Sequence, residues 1–415
     1  MAVTAPRALD ARALRADFPI FEQRFHGKPL AYLDSAASSQ KPRQMLDAMT
    51  RFYETSYANV HRGVYELAER ATEALEHARE RCRAFVNAPA AQEIVFVRNA
   101  TEAINLVAYA WGLQNLGPGD VVLVTELEHH ANFVPWQFIA RKAGADFRML
   151  PVEPDGTLHL DELDEVAGDG NVKVVATGYV SNVLGGANDV PRIAAWAHER
   201  GAIHVCDAAQ AAPHRRVDVQ ALGSDFVAVS GHKMCGPSGI GFLWGKTELL
   251  LAMEPFLTGG HMIRRVREDE TTWGELPHKF EAGTAPMAEA VGLGAAIDYL
   301  EAVGLEAIEQ HEHELVAYAL DRLAEIPGVT TWGPPPERRA GIVSFDVAGV
   351  HPHDVAQILD LDGVAIRAGH HCCQPLMGRL GVAATNRASF YLYTLPEEID
   401  RLADGIRKVK DTFGV

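Results

Sequence analysis

Asp225-Phe226-Val227-Ala228-Val229-Ser230-Gly231-His232-Lys233-Met234-Cys235-Gly236-Pro237-Ser238-Gly239 is an apolar, β-branched run that stops at a hydroxyl, an imidazole and an amine, then turns through glycines and a proline. The pattern predicts a strand buried on both faces that delivers polar residues at its carboxyl end. A lysine at such an end loses hydration, which lowers its pKa and frees a neutral amine. Lys233 is therefore suited to a Schiff base with a carbonyl compound. A single lysine in a strand-to-loop turn is more often an ordinary surface residue, so the reading depends on what surrounds it.

Outward from this stretch, helical and strand patterns alternate. Helical spacing is expected over residues 66–86, 101–111, 133–143 and 190–200, and strands over 93–97, 120–124, 172–177, 202–207 and 226–229. Such alternation predicts a doubly wound α/β fold with a mostly parallel sheet, whose ligand lies beyond the carboxyl ends of the strands. After Thr284 the character changes to a smaller α+β region. Helices are expected over 288–303, 305–326, 353–361 and 397–413, and strands over 342–347 and 389–393. Leu9, Leu14 and Phe18 are spaced for a helix in an amphipathic N-terminal arm. The expected division is an arm over 1–25 packing on the small domain, a large domain over 26–290 and a small domain over 291–415.

The chain has 415 residues, a hydrophobic share of 47 % and a formal net charge of −17. That balance describes a globular protein and argues against nucleic acid or an anionic membrane as the main partner. The five cysteines show no paired spacing, which favours a reducing compartment over a disulfide framework. No signal peptide and no apolar run of membrane-spanning length is visible, so a cytoplasmic protein is expected.

Four groups join Lys233. Asp207, just after a buried strand, is placed to keep a pyridine nitrogen protonated, and Gln210 to donate to a ring's phenolic oxygen. Thr101 stands where a strand gives way to a helix, a site suited to phosphate, to which Ser230 and His232 can add hydrogen bonds. His129, in Glu128-His129-His130-Ala131-Asn132, offers an imidazole to stack on a planar ring and move protons. No metal is expected there, because no further ligands follow at short helical spacing. Arg367-Ala368-Gly369-His370-His371-Cys372-Cys373 puts a cysteine beside two histidines, a setting that can lower a thiol's pKa. Arg387 is placed to clamp a carboxylate. Pyridoxal phosphate (PLP) is the carbonyl cofactor these roles have in common.

Together these residues resemble the cysteine desulfurases among fold-type I PLP enzymes, in the class V aminotransferase family, and specifically the SUF-type (group II) branch. The resemblance runs from Tyr32-Leu33-Asp34-Ser35-Ala36-Ala37-Ser38 to Asn386-Arg387-Ala388-Ser389. It is carried most specifically by Ser230-Gly231-His232-Lys233 and Arg367-Ala368-Gly369-His370-His371-Cys372. It implies a large PLP-binding domain with a seven-stranded sheet, a small domain carrying the cysteine loop, and a homodimer. Lys233 matches the Schiff-base lysine, Asp207 the pyridine-nitrogen partner, Gln210 the phenolic-oxygen donor and His129 the stacking imidazole. Thr101, Ser230 and His232 match phosphate contacts, and Thr284 one supplied across the dimer. Asn182, Arg367 and Arg387 match substrate binding, His61 the substrate entrance and Cys372 the sulfur-accepting thiol. The implied reaction converts L-cysteine to L-alanine and leaves a persulfide, whose sulfur passes to an acceptor protein for iron–sulfur cluster assembly. The segment around His353 resembles relatives that use a zinc-containing, scaffold-like acceptor, with His353 as a contact. The sequence departs from the family at Cys373, where alanine is usual, and that residue is read as an inert variation. Two other readings use the same chemistry or fold: a selenocysteine lyase or cysteine-sulfinate desulfinase, which would not need Cys372, and a non-catalytic assembly subunit.

Overall fold

Seven short, largely apolar runs build the larger sheet of the computed structural model, which describes residues 9–61, 63–153 and 155–415. They are Ile94–Val97 (β1), Asp120–Thr125 (β2), Asp146–Leu150 (β3), Asn171–Gly178 (β4), Ile203–Asp207 (β5), Phe226–Ser230 (β6) and Gly241–Gly245 (β7). Their order is β1-β7-β6-β5-β4-β2-β3. Only β7 runs against its neighbours, lying antiparallel to both β1 and β6, while β6, β5, β4, β2 and β3 pair in parallel. The expected mostly parallel seven-stranded sheet is thus present.

Every residue of β5, β6 and β7 is buried, because helices cover both faces of the sheet. Alternation sorts the side chains of β6 between two cores. Val227 and Val229 join Leu75, Ala78, Ile297 and Leu300 from the helices Glu66–Phe85 and Met287–Val303. Phe226 and Ala228 join Ile104, Trp136 and Ile139 from Ala100–Val107 and His130–Ala143. The helix Met287–Val303 runs unbroken through residue 290, so a boundary placed there falls inside an element packed under the large sheet.

A second sheet, antiparallel throughout, is formed by Val329–Trp332 (β8), Ile342–Val347 (β9), Arg367–Gly369 (β10) and Thr385–Ser389 (β11), in the order β8-β9-β11-β10. The helices Leu305–Ala324 and Pro396–Phe413 supply its core. The strand expected over 389–393 is corrected here. The polar run Thr-Asn-Arg-Ala-Ser at 385–389 forms the ladder, and Phe390–Tyr393 leave it in a turn. Those aromatics are fully buried without a ladder: Tyr391 Oη donates to Pro213 O, and Tyr393 Oη bonds Ser35 Oγ.

Residues 1–8 of the N-terminal arm lie outside the described residues. The rest forms a short helix, Ala11–Arg15, after which Phe18 is buried with its ring 4.9 Å from Tyr393 and 5.8 Å from Tyr299. Arg15 donates to Glu398 and to Tyr393 O. Among the described residues no helix is long and apolar enough to cross a membrane.

Candidate active site

The carboxyl ends of β5 and β6 open onto a cavity of about 260 Å³. β5 ends at Asp207. β6 ends at Ser230, and the one-turn helix Gly231–Lys233 carries the lysine into the cavity. Gly241, opposite Ser230 in β7, allows this tight closure, since a Cβ there would meet Val229 O at 2.3 Å. The turn is held from outside by Lys41 Nζ and Ser38 Oγ, both donating to His232 O.

Burial pushes the Lys233 amine down to about 8, with Arg387 and Arg367 acting the same way and Asp207 and Cys372 opposing. A lysine so placed has a substantial neutral fraction near neutral pH. Burial raises the Asp207 carboxyl, and Lys233 and the Ala209 N–H restrain the rise. His129 caps the helix His130–Ala143 and lines the cavity. Its Nδ1 accepts from the Ala131 N–H, leaving the proton on Nε2. Burial holds it down at about 3, so the ring is neutral. Beneath it Glu128, buried, accepts from Thr125 Oγ1 and Asn132 Nδ2, and burial raises it to about 7.

At the carboxyl end of β6, Ser230 Oγ accepts from the Ala100 N–H at the start of the helix Ala100–Val107, and Thr101 is exposed to the cavity. Burial lowers His232 to about 4, and its ring contacts Ser38 Oγ at 3.3 Å. Gln210 Nε2 donates to Ala36 O, and its buried Oε1 has no protein partner.

The smaller sheet closes the cavity. Arg387, from β11, donates to Asn182 O at 2.8 Å and to Asp34 Oδ1 at 3.3 Å, and its buried Nε has no protein partner. Arg367, from β10, bonds both oxygens of Asp34. Asn182 Nδ2 donates to His371 O. Cys372 is exposed to the cavity on a left-handed backbone, φ +55°, and its carbonyl accepts from the His130 N–H. Cys373 points the other way, fully buried among Leu127, Val183 and Leu376, and burial pushes its thiol up.

One cavity therefore gathers Lys233, Asp207, Gln210, His129, Thr101, Ser230, His232, Asn182, Arg367, Arg387 and Cys372. Two expected residues stand elsewhere. Thr284 is exposed in a separate cleft with Arg98 and Glu102, and His61 packs against His261 and His278. His353 is exposed at the start of the helix Pro352–Leu361 and does not line the cavity. Asp34, Glu128 and Lys41 have positioning roles that the sequence reading did not assign. The first two sit inside quoted motifs, where a charge among small or buried neighbours was the available signal. The histidine pair also has a ligand-like neighbour from another segment: His130, His370 and Cys372 offer ligand atoms within 4.8 Å of one another.

Residues 31–402 match the Aminotransferase class-V family, and the chain belongs to it. The curated relatives include a probable cysteine desulfurase of Halalkalibacterium halodurans, 52 % identical over 98 % of this chain and 99 % of the relative. A cysteine desulfurase of Haloferax volcanii is 48 % identical over the whole of both chains. Among solved structures, the cysteine desulfurase CsdA of Escherichia coli, as an S-sulfonic acid, superposes with a TM-score of 0.90 at 38 % identity, covering 98 % of this chain and 100 % of that one. The apo cysteine desulfurase of Thermococcus onnurineus gives 0.92 at 39 %, with the same coverage. The architecture is fold type I.

Proposed function

We propose that the protein is a PLP-dependent cysteine desulfurase of the SUF type, with Cys372 as the sulfur-accepting thiol. The observation that carries this is the meeting, in one cavity, of a half-buried lysine from the turn after β6 and an exposed cysteine from the loop after β10. The cavity fits the cofactor and its substrate on its own evidence: Lys233, Asp207 and His129 line it together, and Arg387 Nε, an N–H donor, is buried there without a protein partner. Bound PLP supplies an electron sink for the electron pair left when the substrate Cα–H bond breaks.

Lys233 holds the cofactor through Nζ, Asp207 keeps the ring nitrogen protonated, and His129 covers the ring face as a neutral imidazole. Ser230, His232 and Thr101, at the N-terminal end of the helix Ala100–Val107, hold the phosphate. Gln210 reaches the phenolic oxygen with its second amide N–H. Arg387, oriented by Asp34 and Asn182, binds the L-cysteine carboxylate, with Arg367 beside it. Lys233, neutral once substrate has taken its place, removes the Cα proton. Cys372 thiolate attacks the substrate sulfur: an S–S bond forms, the C–S bond breaks, and the carbon fragment is reprotonated and leaves as L-alanine. The persulfide sulfur goes on to an acceptor protein, with His353 as the contact, for iron–sulfur cluster assembly in the cytoplasm. Thr284 and His61, outside the cavity of their own chain, complete the phosphate site and the entrance of a second copy in a homodimer.

The test is L-alanine release from L-cysteine with a reducing thiol present. Cys372→Ala is expected to lose turnover. Cys373→Ala, buried away from the cavity, is expected to keep it, with a stability loss of about 1 kcal/mol. Full turnover by Cys372→Ala would instead favour the lyase or desulfinase reading. A colourless protein that never takes up PLP would leave only a non-catalytic role.

A further inference from the structure

Three imidazoles from distant parts of the chain meet away from the cavity. His61 lies beside the helix Glu66–Phe85, His261 follows Gly259-Gly260, and His278 begins the turn His278–Phe280. The His61 ring centroid is 4.7 Å from each of the others, and those two are 5.7 Å apart. Each ring offers one nitrogen, and the three nitrogens lie within 4.8 Å of one another. His61 Nε2 and His278 Nδ1 are buried with no hydrogen-bond partner, a costly state for ring nitrogens unless something else satisfies them.

The charges around the rings favour a cation. Glu76 lies 4.0 Å from His61 Nε2, and Glu281 lies 3.8 Å from His278 Nδ1. Arg79 bonds both carboxylates, so two negative charges face one positive charge.

We propose that His61, His261 and His278 form a zinc-type site for a divalent transition metal, with three imidazole ligands and a fourth position for water. A tetrahedral ion with Zn–N bonds of about 2.0–2.1 Å sets its nitrogens about 3.3 Å apart. The rings therefore draw inward on binding. His61 and His261 sit on loop backbone at φ +68° and +78°, outside any helix or strand. The ion ties together three segments that are far apart in sequence, and by mass action it stabilises the folded chain. The site shares His61 with the entrance proposed above, and its zinc-shell and Tm readouts do not require the reaction itself. It is also chemically distinct from the cluster His130, His370 and Cys372, which would add sulfur to the shell.

The experiment uses the full-length protein, cleared of metal and given one equivalent of Zn²⁺, with zinc-edge X-ray absorption and thermal melting as readouts. The expected shell is nitrogen and oxygen only, at about 2.0–2.1 Å. The expected rise in Tm with zinc is lost in both His261→Gln and His278→Gln. Sulfur in the shell at about 2.3 Å would overturn the proposal without recourse to any variant. So would zinc that dialyses away from the wild-type chain, or an undiminished zinc-dependent Tm rise in both variants.

Discussion

Asp34 places one carboxylate against two arginines that line the cavity, bonding Arg367 at 2.9 Å and Arg387 at 3.3 Å. Arg387 is buried, and its remaining partner is a neutral carbonyl, Asn182 O. Asp34→Asn keeps the shape but removes the charge that fixes both guanidinium planes. Misplacing a substrate clamp by about 1 Å costs on the order of 10²-fold, so kcat/KM for L-cysteine is expected to fall by roughly 10–100-fold, chiefly through KM. Steady-state kinetics would show this split, and an unchanged KM with a lowered Tm would reduce Asp34 to a structural residue. At this scale the sequence announced groups whose chemistry is unusual for their position, such as a lysine ending an apolar run. It did not announce groups whose role comes from a remote partner. Asp34 meets Arg367 across 333 residues and Arg387 across 353. The two adjacent cysteines likewise look equivalent in sequence, and only the backbone turn at Cys372 sends one to the cavity and the other into an apolar cluster.

Between elements, the junction of β6 and β7 controls where Lys233 stands. β7 reads Gly-Phe-Leu-Trp-Gly, and its glycines conceal a strand that composition alone does not propose. Gly241 pairs with Ser230 on one side and Val97 on the other, and its missing Cβ is what lets Val229 O approach. Gly241→Ala is expected to force the strands apart at the base of the lysine turn. Overpacking of this kind costs about 1–3 kcal/mol, and Ser230 Oγ would lose its grip on the Ala100 N–H. Calorimetry should show the lower Tm and absorption spectroscopy a weaker retention of PLP; a variant with native Tm and full cofactor would refute the argument. The parallel strands were legible because burial on both faces leaves continuous apolar runs. β3, at the sheet edge with a mixed pattern, and β11, a polar yet buried strand of which Arg387 reaches the cavity, were not. For β11 the hydrophobic signal lay in the adjoining turn, Phe390–Tyr393, whose burial comes from contacts with Pro213 and Ser35.

For the whole molecule, neutral buried imidazoles set the response to acid. His129, His204 and His371 are held at about 3 and His232 at about 4, each chiefly by burial. The unfolded chain binds a proton on each near pH 6.5 and the folded chain does not until far lower. Their contribution to stability is therefore complete above pH 6.5 and is lost as pH falls toward the folded values. Glu128 works in the opposite sense: raised to about 7, it keeps its proton in the folded state and weakens folding as pH rises from about 4.5 to 7. Four imidazoles outweigh it, so stability is expected to rise with pH between about 4 and 6.5. Because a bound cofactor would alter His129 and His232, the clean probe is His204, which is fully buried away from the cavity. Its two ring nitrogens each lie 2.9 Å from a hydroxyl, Thr177 Oγ1 and Ser224 Oγ. An imidazole in this position contributes a slope of up to about 1.4 kcal/mol per pH unit. In urea titrations from pH 4 to 7, His204→Gln should flatten the profile by about that amount below pH 6.5, whatever it does to stability at pH 7. A parallel profile for variant and wild type would mean that His204 takes up no extra proton on unfolding, and the acid response would have to come from elsewhere in the chain.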